Sequence, residues 1–269
     1  MRREDRENGL RKWIHPGVRE VFRDDTLWVL DKPAGVLSHP NPPSDEASNA
    51  LLRAPYDFER ETFSLQGPGQ EPAEIHLVHR LDQDTSGLII CTFGEEAASA
   101  LKEALFHREV EKEYRALVLG LESASQGEWA DHLEKVSGKH GALVKSGRGK
   151  INAVTRYSVL ERIGIAGLSL LSLRPQTGRT HQLRVQAARR GCPIAGDERY
   201  GDFAANRFLS AEIGLKHMFL HAVHMELRHP RTGHVLKLNA PLTSRLALPL
   251  EKARGLLRPV PRRNAPSGG

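Results

Sequence analysis

Residues 79–87, His-Arg-Leu-Asp-Gln-Asp-Thr-Ser-Gly, gather an imidazole, a guanidinium and the two carboxylates Asp82 and Asp84 into one short polar stretch. It lies between two apolar runs, Ile75 to Val78 and Leu88 to Phe93, which read as strands. A polar loop clamped between strands is a frequent seat for catalytic side chains, and also a frequent solvated turn. Asp82, Asp84, Ser86 and Gly87 mimic the start of a calcium loop. That loop needs a bidentate Glu at its twelfth position, which here is Phe93, so calcium is not expected. Asp82 with Asp84 or Asp197 would suit glycosidic-bond hydrolysis by a carboxylate pair.

A second segment, residues 174–184 (Arg-Pro-Gln-Thr-Gly-Arg-Thr-His-Gln-Leu-Arg), sets Arg179 and His181 around the start of a helix. Free N–H groups at a helix start attract anions, and Arg184 lies one turn beyond His181 on roughly the same face. A phosphate or carboxylate would be well placed there; a solvated basic helix reads the same way. His217, His221 and His224 have no acidic companion of ligand character, so no metal site is expected. Neither a GxGxxG turn before a helix nor a GxxxxGK[ST] loop occurs, so no nucleotide cofactor is expected.

These segments need a scaffold. Leu27 to Leu30 reads as a strand ended by Lys32-Pro33 and Gly35, and SNALLRA (48–54) as a small helix. Ala98, Leu101 and Leu105 give the segment 95–120 an amphipathic helical start, after which Tyr114 to Leu119 turns strand-like. Alternation returns at 154–163 and 168–175, and late strands are expected at 219–227 and 235–241. The helix after Gly178 carries Thr180 as its expected N-cap and Gly191 as its C′ residue. Strand runs joined by turns, rather than a βαβ alternation, indicate an α+β fold. The expected organisation is a charged leader over 1–20, a single domain over 21–250 with variable insertions at 40–72 and 121–150, and a basic, disordered tail over 251–269.

The 269 residues suffice for a large buried core. Lys and Arg number 39 against 33 Asp and Glu, a net charge of +6 that favours a polyanionic partner by counterion release. Cys91 and Cys192 stand far apart with no CxxC spacing, which disfavours a disulfide framework and fits a reducing compartment. The charged start, MRREDRENGLRKW, lacks the apolar core of a secretory signal, and no run is long enough to cross a bilayer. A cytoplasmic protein is expected.

Taken together, the ordered segments resemble the RluA-type pseudouridine synthases. The carriers are LDKPAG (30–35), HRLDQDTSGL (79–88), EKEYRALVLG (111–120), TGRTHQLRV (177–185) and GCPIAGDERYG (191–201). The resemblance spans about Val21 to Pro241 and does not include the prefatory S4-like RNA-binding domain that some relatives carry. It implies a catalytic domain on a mixed, mainly antiparallel, bent sheet with flanking helices and an active-site cleft. By position it also implies that Asp82 is the essential aspartate, Tyr114 the tyrosine against the target base, Arg184 the basic partner of the aspartate and Leu183 its apolar neighbour. Arg80 matches a residue that enters the space left by an extruded base. His79, Lys32, Arg179 and His181 are further expected substrate contacts. Gln83, Leu183 and Gln186 depart from the commonest family residues.

The implied reaction breaks the N1–C1′ bond of uridine and joins C5 to C1′. No net redox change occurs, so no cofactor is expected, and the implied partner is a stem-loop of ribosomal or transfer RNA met by a monomer. A non-catalytic RNA-binding protein on the same scaffold would carry the same charge; the intact set Asp82, Tyr114 and Arg184 argues for the enzyme.

Overall fold

A computed structural model of the chain describes residues 9–41, 49–66, 73–120, 124–136 and 143–262. It divides into two compact units, Met1–Val110 with His224–Ala240, and Glu111–Val223 with Pro241–Gly269.

In the first unit, β2 (Leu27–Lys32) is buried along its whole length, as a strand covered on both faces must be. It pairs antiparallel with β1 (Arg19–Arg23) on one side and β6 (Ser86–Phe93) on the other. The series continues antiparallel from β6 through β5 (Ala73–Leu77) and β4 (Thr62–Leu65) to the two-residue β3 (Tyr56–Asp57). Gly94, at φ 97°, turns the chain from β6 into the helix Glu95–Phe106, whose Ala98 and Leu101 are buried. Leu105, expected on the same apolar face, is only half-buried. Of the small helix expected at 48–54, only Asn49 is helical among the described residues, in a 3₁₀ turn. Ala50 and Leu52 instead make single bridges to Leu37 and Ile14, tying this stretch to neighbouring backbone.

In the second unit, β7 (Glu111–Leu119), β12 (Leu168–Pro175), β11 (Ala153–Ile163) and β8 (Gln126–Asp131) run antiparallel in that order. A separate ladder joins β9 (Leu133–Val136) to β10 (Leu143–Ser146), so much of the expected 121–150 insertion is strand. The helices Phe203–Ile213 and Ser244–Arg254 bury Leu209, Ile213, Leu246 and Leu250 against Leu117, Leu119 and Leu168. β13 (Leu220–Arg228) has residues in both units, and its latter part pairs with β14 (Val235–Asn239).

The α+β class and the mainly antiparallel sheet are those the sequence indicated. Two boundaries differ. The helix Gln182–Arg189 is preceded by His181, at φ 53°, and not by Thr180. Its first turn is closed by Gln182, whose Oε1 accepts the Arg179 amide and the Thr177 hydroxyl. At its far end Gly191 does stand at C′, with φ 68°. The Gly191 and Cys192 amides donate back to the Ala188 and Ala187 carbonyls, the paired bonds of a Schellman ending. Finally, residues 251–254 complete the last helix, and Val260 beyond it is buried, its amide bonded to the Ala166 carbonyl. The rest of the expected tail, from 263, lies outside the described residues, as do 1–8, 42–48 and 67–72 of the expected leader and first insertion. Cys91 and Cys192 are both free and buried. Among the described residues no helix is long and apolar enough to cross a membrane.

Candidate active site

The Asp82 loop is sewn to the turn after β2 by backbone groups. The Gly35 amide donates to the Gln83 carbonyl, and the Gln83 side-chain amide donates to the Gly35 carbonyl. The Ser38 hydroxyl donates to the Leu81 carbonyl while its oxygen accepts the Leu81 amide. His79 Nε2 accepts the Ile90 amide, fastening the loop to β6. Thr85 closes a turn onto the Asp82 carbonyl. The loop is held on both sides, and the Asp82 side chain is left partly exposed at its tip.

Lys32 is the centre of this stitching. It is fully buried, and its Nζ donates to the carbonyls of Val36 (2.6 Å), Gln83 (2.9 Å) and Pro33 (3.2 Å). An ammonium has three protons to give, and here three acceptors take them. Burial pulls Lys32 down to about 7, against the opposing pull of Asp84, Asp82 and Asp31. The sequence reading made Lys32 a substrate contact. Its complete burial and its saturated donors make it instead the residue that positions the loop and lends positive charge to the field around Asp82.

The second unit holds the other residues of the implied set. Tyr114 lies in β7, buried and opposite Leu173 of β12, and Leu183 is buried in the first turn of its helix. Arg184 is buried too and grips Asp197 with two parallel bonds, Nε to Oδ2 and Nη2 to Oδ1, each 2.8 Å. Asp197 Oδ1 also accepts the Arg199 and Tyr200 amides. Burial alone would raise the Asp197 carboxyl; the bonds and charge of Arg184, with those two amides, outweigh it and hold the group below the usual carboxylate range. The Arg184 guanidinium further lies 5.2 Å from the centre of the Tyr200 ring. Tyr200 also meets His181, its hydroxyl 2.8 Å from Nδ1.

Arg184 is therefore a fixed cation with a fixed orientation, and Asp197 is what fixes it. Sequence reasoning considered Asp197 only as half of a hydrolytic pair; its engagement with Arg184 and two amides gives it a positioning role. The signal was present, an acidic residue inside GCPIAGDERYG, but its partner stands thirteen positions away. Arg179 remains exposed, its Nε reaching the Asn152 carbonyl. Gln186, at a departure from the family pattern, is fully buried, and its amide donates to Asp131 and to the Trp129 and Ala153 carbonyls while accepting from Thr155. It serves packing inside the unit. Among the described residues no three His, Cys, Asp or Glu side chains are grouped as metal ligands.

Comparison with known proteins bears on the whole chain. The family of RNA pseudouridylate synthases matches residues 26–189, which include parts of both units. Ribosomal large subunit pseudouridine synthase C of Escherichia coli K12 is 35% identical over 245 residues, 87% of this chain and 69% of the relative. The protein of that name from Pasteurella multocida is 34% identical over 248 residues, 88% and 67% of the two chains. Among solved structures, human RNA pseudouridylate synthase domain containing 4 superposes with a TM-score of 0.64 at 25% identity, over 92% of this chain and 95% of that one. A second human structure, of domain containing 1, shares the fold with a TM-score of 0.58 at 23% identity, over 91% and 96%. The family match over more than half of the chain, with a relative 35% identical over 87% of it, makes the protein a member of the RNA pseudouridylate synthase family, an isomerase that acts on RNA.

Proposed function

We propose that this enzyme isomerises uridine in large-subunit ribosomal RNA, with Asp82 as its catalytic carboxylate. The observation that supports Asp82 most directly is its setting. The loop backbone is immobilised by Lys32, Gly35 and Ser38, while Asp82 itself is only half-buried. The ribosomal target rests on the names of the bacterial relatives. A stem-loop substrate, a monomeric enzyme and a cytoplasmic location belong to the same reading.

The chemistry needs an ionised carboxylate, either adding at C1′ or assisting elimination across C1′–C2′. N1–C1′ breaks, the detached uracil turns, and C5–C1′ forms. A proton leaves C5 and N1 regains one, so the product is an isomer and nothing is oxidised. Tyr114 and Leu183 hold the base in this reading, and Arg184 contributes a permanent positive charge at any working pH, as a guanidinium does. An unperturbed tyrosine titrates near 10, so Tyr114 serves better as a stacking surface than as a resting base. Flipping the nucleotide costs about a few kcal/mol, and Arg80, exposed beside Asp82, offsets part of this by filling the vacated space. His79, Arg179 and His181 flank the substrate in this reading, with Arg179 best exposed to meet a phosphate.

The test uses RNA carrying tritium at C5 of uridine, because isomerisation releases that hydrogen to water. The wild-type protein is expected to release it from large-subunit ribosomal RNA, and Asp82→Asn to abolish release while RNA binding persists. Undiminished release from Asp82→Asn would remove Asp82 from the mechanism. Release from transfer RNA alone would move the target, and free uracil in the product would replace isomerisation with hydrolysis.

A further inference from the structure

The stretch between β2 and β4 builds an aromatic cluster that the reaction above does not use. Phe63 is its buried root, and Tyr56 packs on it at 4.6 Å between ring centres. His39 stacks on Tyr56 at 5.1 Å with the rings 8° from parallel. Phe58 stands edge-on to both, at 5.2 Å from Tyr56 and 5.8 Å from His39, and is 46% exposed. The cluster thus rises from core to solvent, and a large aromatic ring is presented at its rim.

The turn that presents Phe58 is itself fixed. Asp57 Oδ1 accepts the amides of Glu59 and Arg60, which caps the turn around Phe58. Arg80 joins the cluster from the Asp82 loop: its Nη1 lies 2.9 Å from His39 Nε2. The other ring nitrogen of His39 lies 2.7 Å from the Pro40 carbonyl, which can only accept. Nδ1 therefore carries the proton and Nε2 accepts from Arg80, leaving a neutral imidazole with a guanidinium at its edge.

Neutral aromatic faces beside one cation are how proteins hold unpaired bases, since every base has a face to stack and a phosphate nearby to pair. The exposed acids Asp57 and Glu59 flank Phe58 and repel a backbone track at that tip. Contact through a ring face fits the tip, and Arg80 ties that tip to the loop that carries Asp82. We propose that Phe58, His39 and Tyr56 form a stacking shelf for an unpaired base next to the target uridine, with Arg80 linking that shelf to the Asp82 loop. This rests on the enzyme's RNA reading and adds a subsite to it. Arg80 carries the link, because it is two residues from Asp82 and bonded to the shelf.

A single-stranded oligoribonucleotide bearing one 2-aminopurine tests it without depending on turnover, since stacking quenches that base. The wild-type protein is expected to bind and quench it. Phe58→Ala should bind about 5-fold or more weakly and lose the quenching, the scale of one lost base–aromatic stack. Phe58→Tyr should restore both, which a merely structural role at an exposed position would not require. In tritium release, Phe58→Ala should raise KM and leave kcat near wild type. Equal binding and quenching by wild type and Phe58→Ala, or no rescue by tyrosine, would overturn the shelf. A wild-type protein that releases no tritium would instead overturn the catalytic reading, with the quenching result still deciding the shelf.

Discussion

The surroundings of Lys32 and those of Arg184 solve one problem in opposite ways. Each buries a cation beside functional backbone. Lys32 is neutralised by three carbonyl dipoles, with carboxylates acting only at a distance, and its proton becomes loose. Arg184 is met by a full carboxylate in a two-bond grip, and its charge is permanent. A dipole cage therefore suits a residue whose task is to fix a loop. A bidentate ion pair suits one whose charge and direction must both persist.

The comparison breaks most sharply at Asp197. Asp197→Ala removes the carboxylate that grips the buried Arg184 guanidinium, and should cost about 3–5 kcal/mol in urea unfolding. A loss below about 1 kcal/mol would mean that Arg184 needs no fixed partner. Lys32→Met removes a buried charge together with its bonds, so desolvation relief offsets part of the loss. It should cost less, about 1–3 kcal/mol, and slow tritium release by loosening the Asp82 loop. Ser38→Ala breaks the reciprocal pair with Leu81 and should cost about 1 kcal/mol.

The two cations should also differ with pH. Lys32 in the fold holds its proton only to about 7, against 10.5 for an ordinary lysine. Between those values the unfolded chain carries the extra proton, so the Lys32 contribution to stability rises with pH. Asp197 acts in the acid range: its lowered value gives stability that is present above the ordinary carboxylate range and lost as pH falls through the folded value. Unfolding free energies of wild type minus Lys32→Met, taken from pH 6 to 10, should increase, whereas the Asp197→Asn difference should stay flat there. A Lys32 difference that is flat or falls with pH would refute the dipole-cage account.

The sequence made some of this legible and concealed the rest for identifiable reasons. The apolar runs Leu27 to Leu30 in β2 and Leu88 to Cys91 in β6 account for the burial of those strands. The Asp82 loop was visible as polar residues between such runs. The cage around Lys32 was not legible, because one of its three carbonyl acceptors, that of Gln83, is supplied by the returning loop. The helix Phe203–Ile213 was overlooked although its signals were written locally, Asp202 accepting the Ala204 and Ala205 amides and Gly214 ending it at φ 74°. Asp197 could not be matched to Arg184 without the intervening turn, and the aromatic shelf joins residues from two separated stretches.

Each unit contains one free thiol, Cys91 in the first and Cys192 in the second, both enclosed by protein. With burial pushing its pKa up to about 12, Cys91 offers almost no thiolate to an alkylating reagent while its surroundings stay shut. Mass spectrometry of iodoacetamide uptake, resolved by peptide, would then clock the opening of the two halves separately, with no engineered probe.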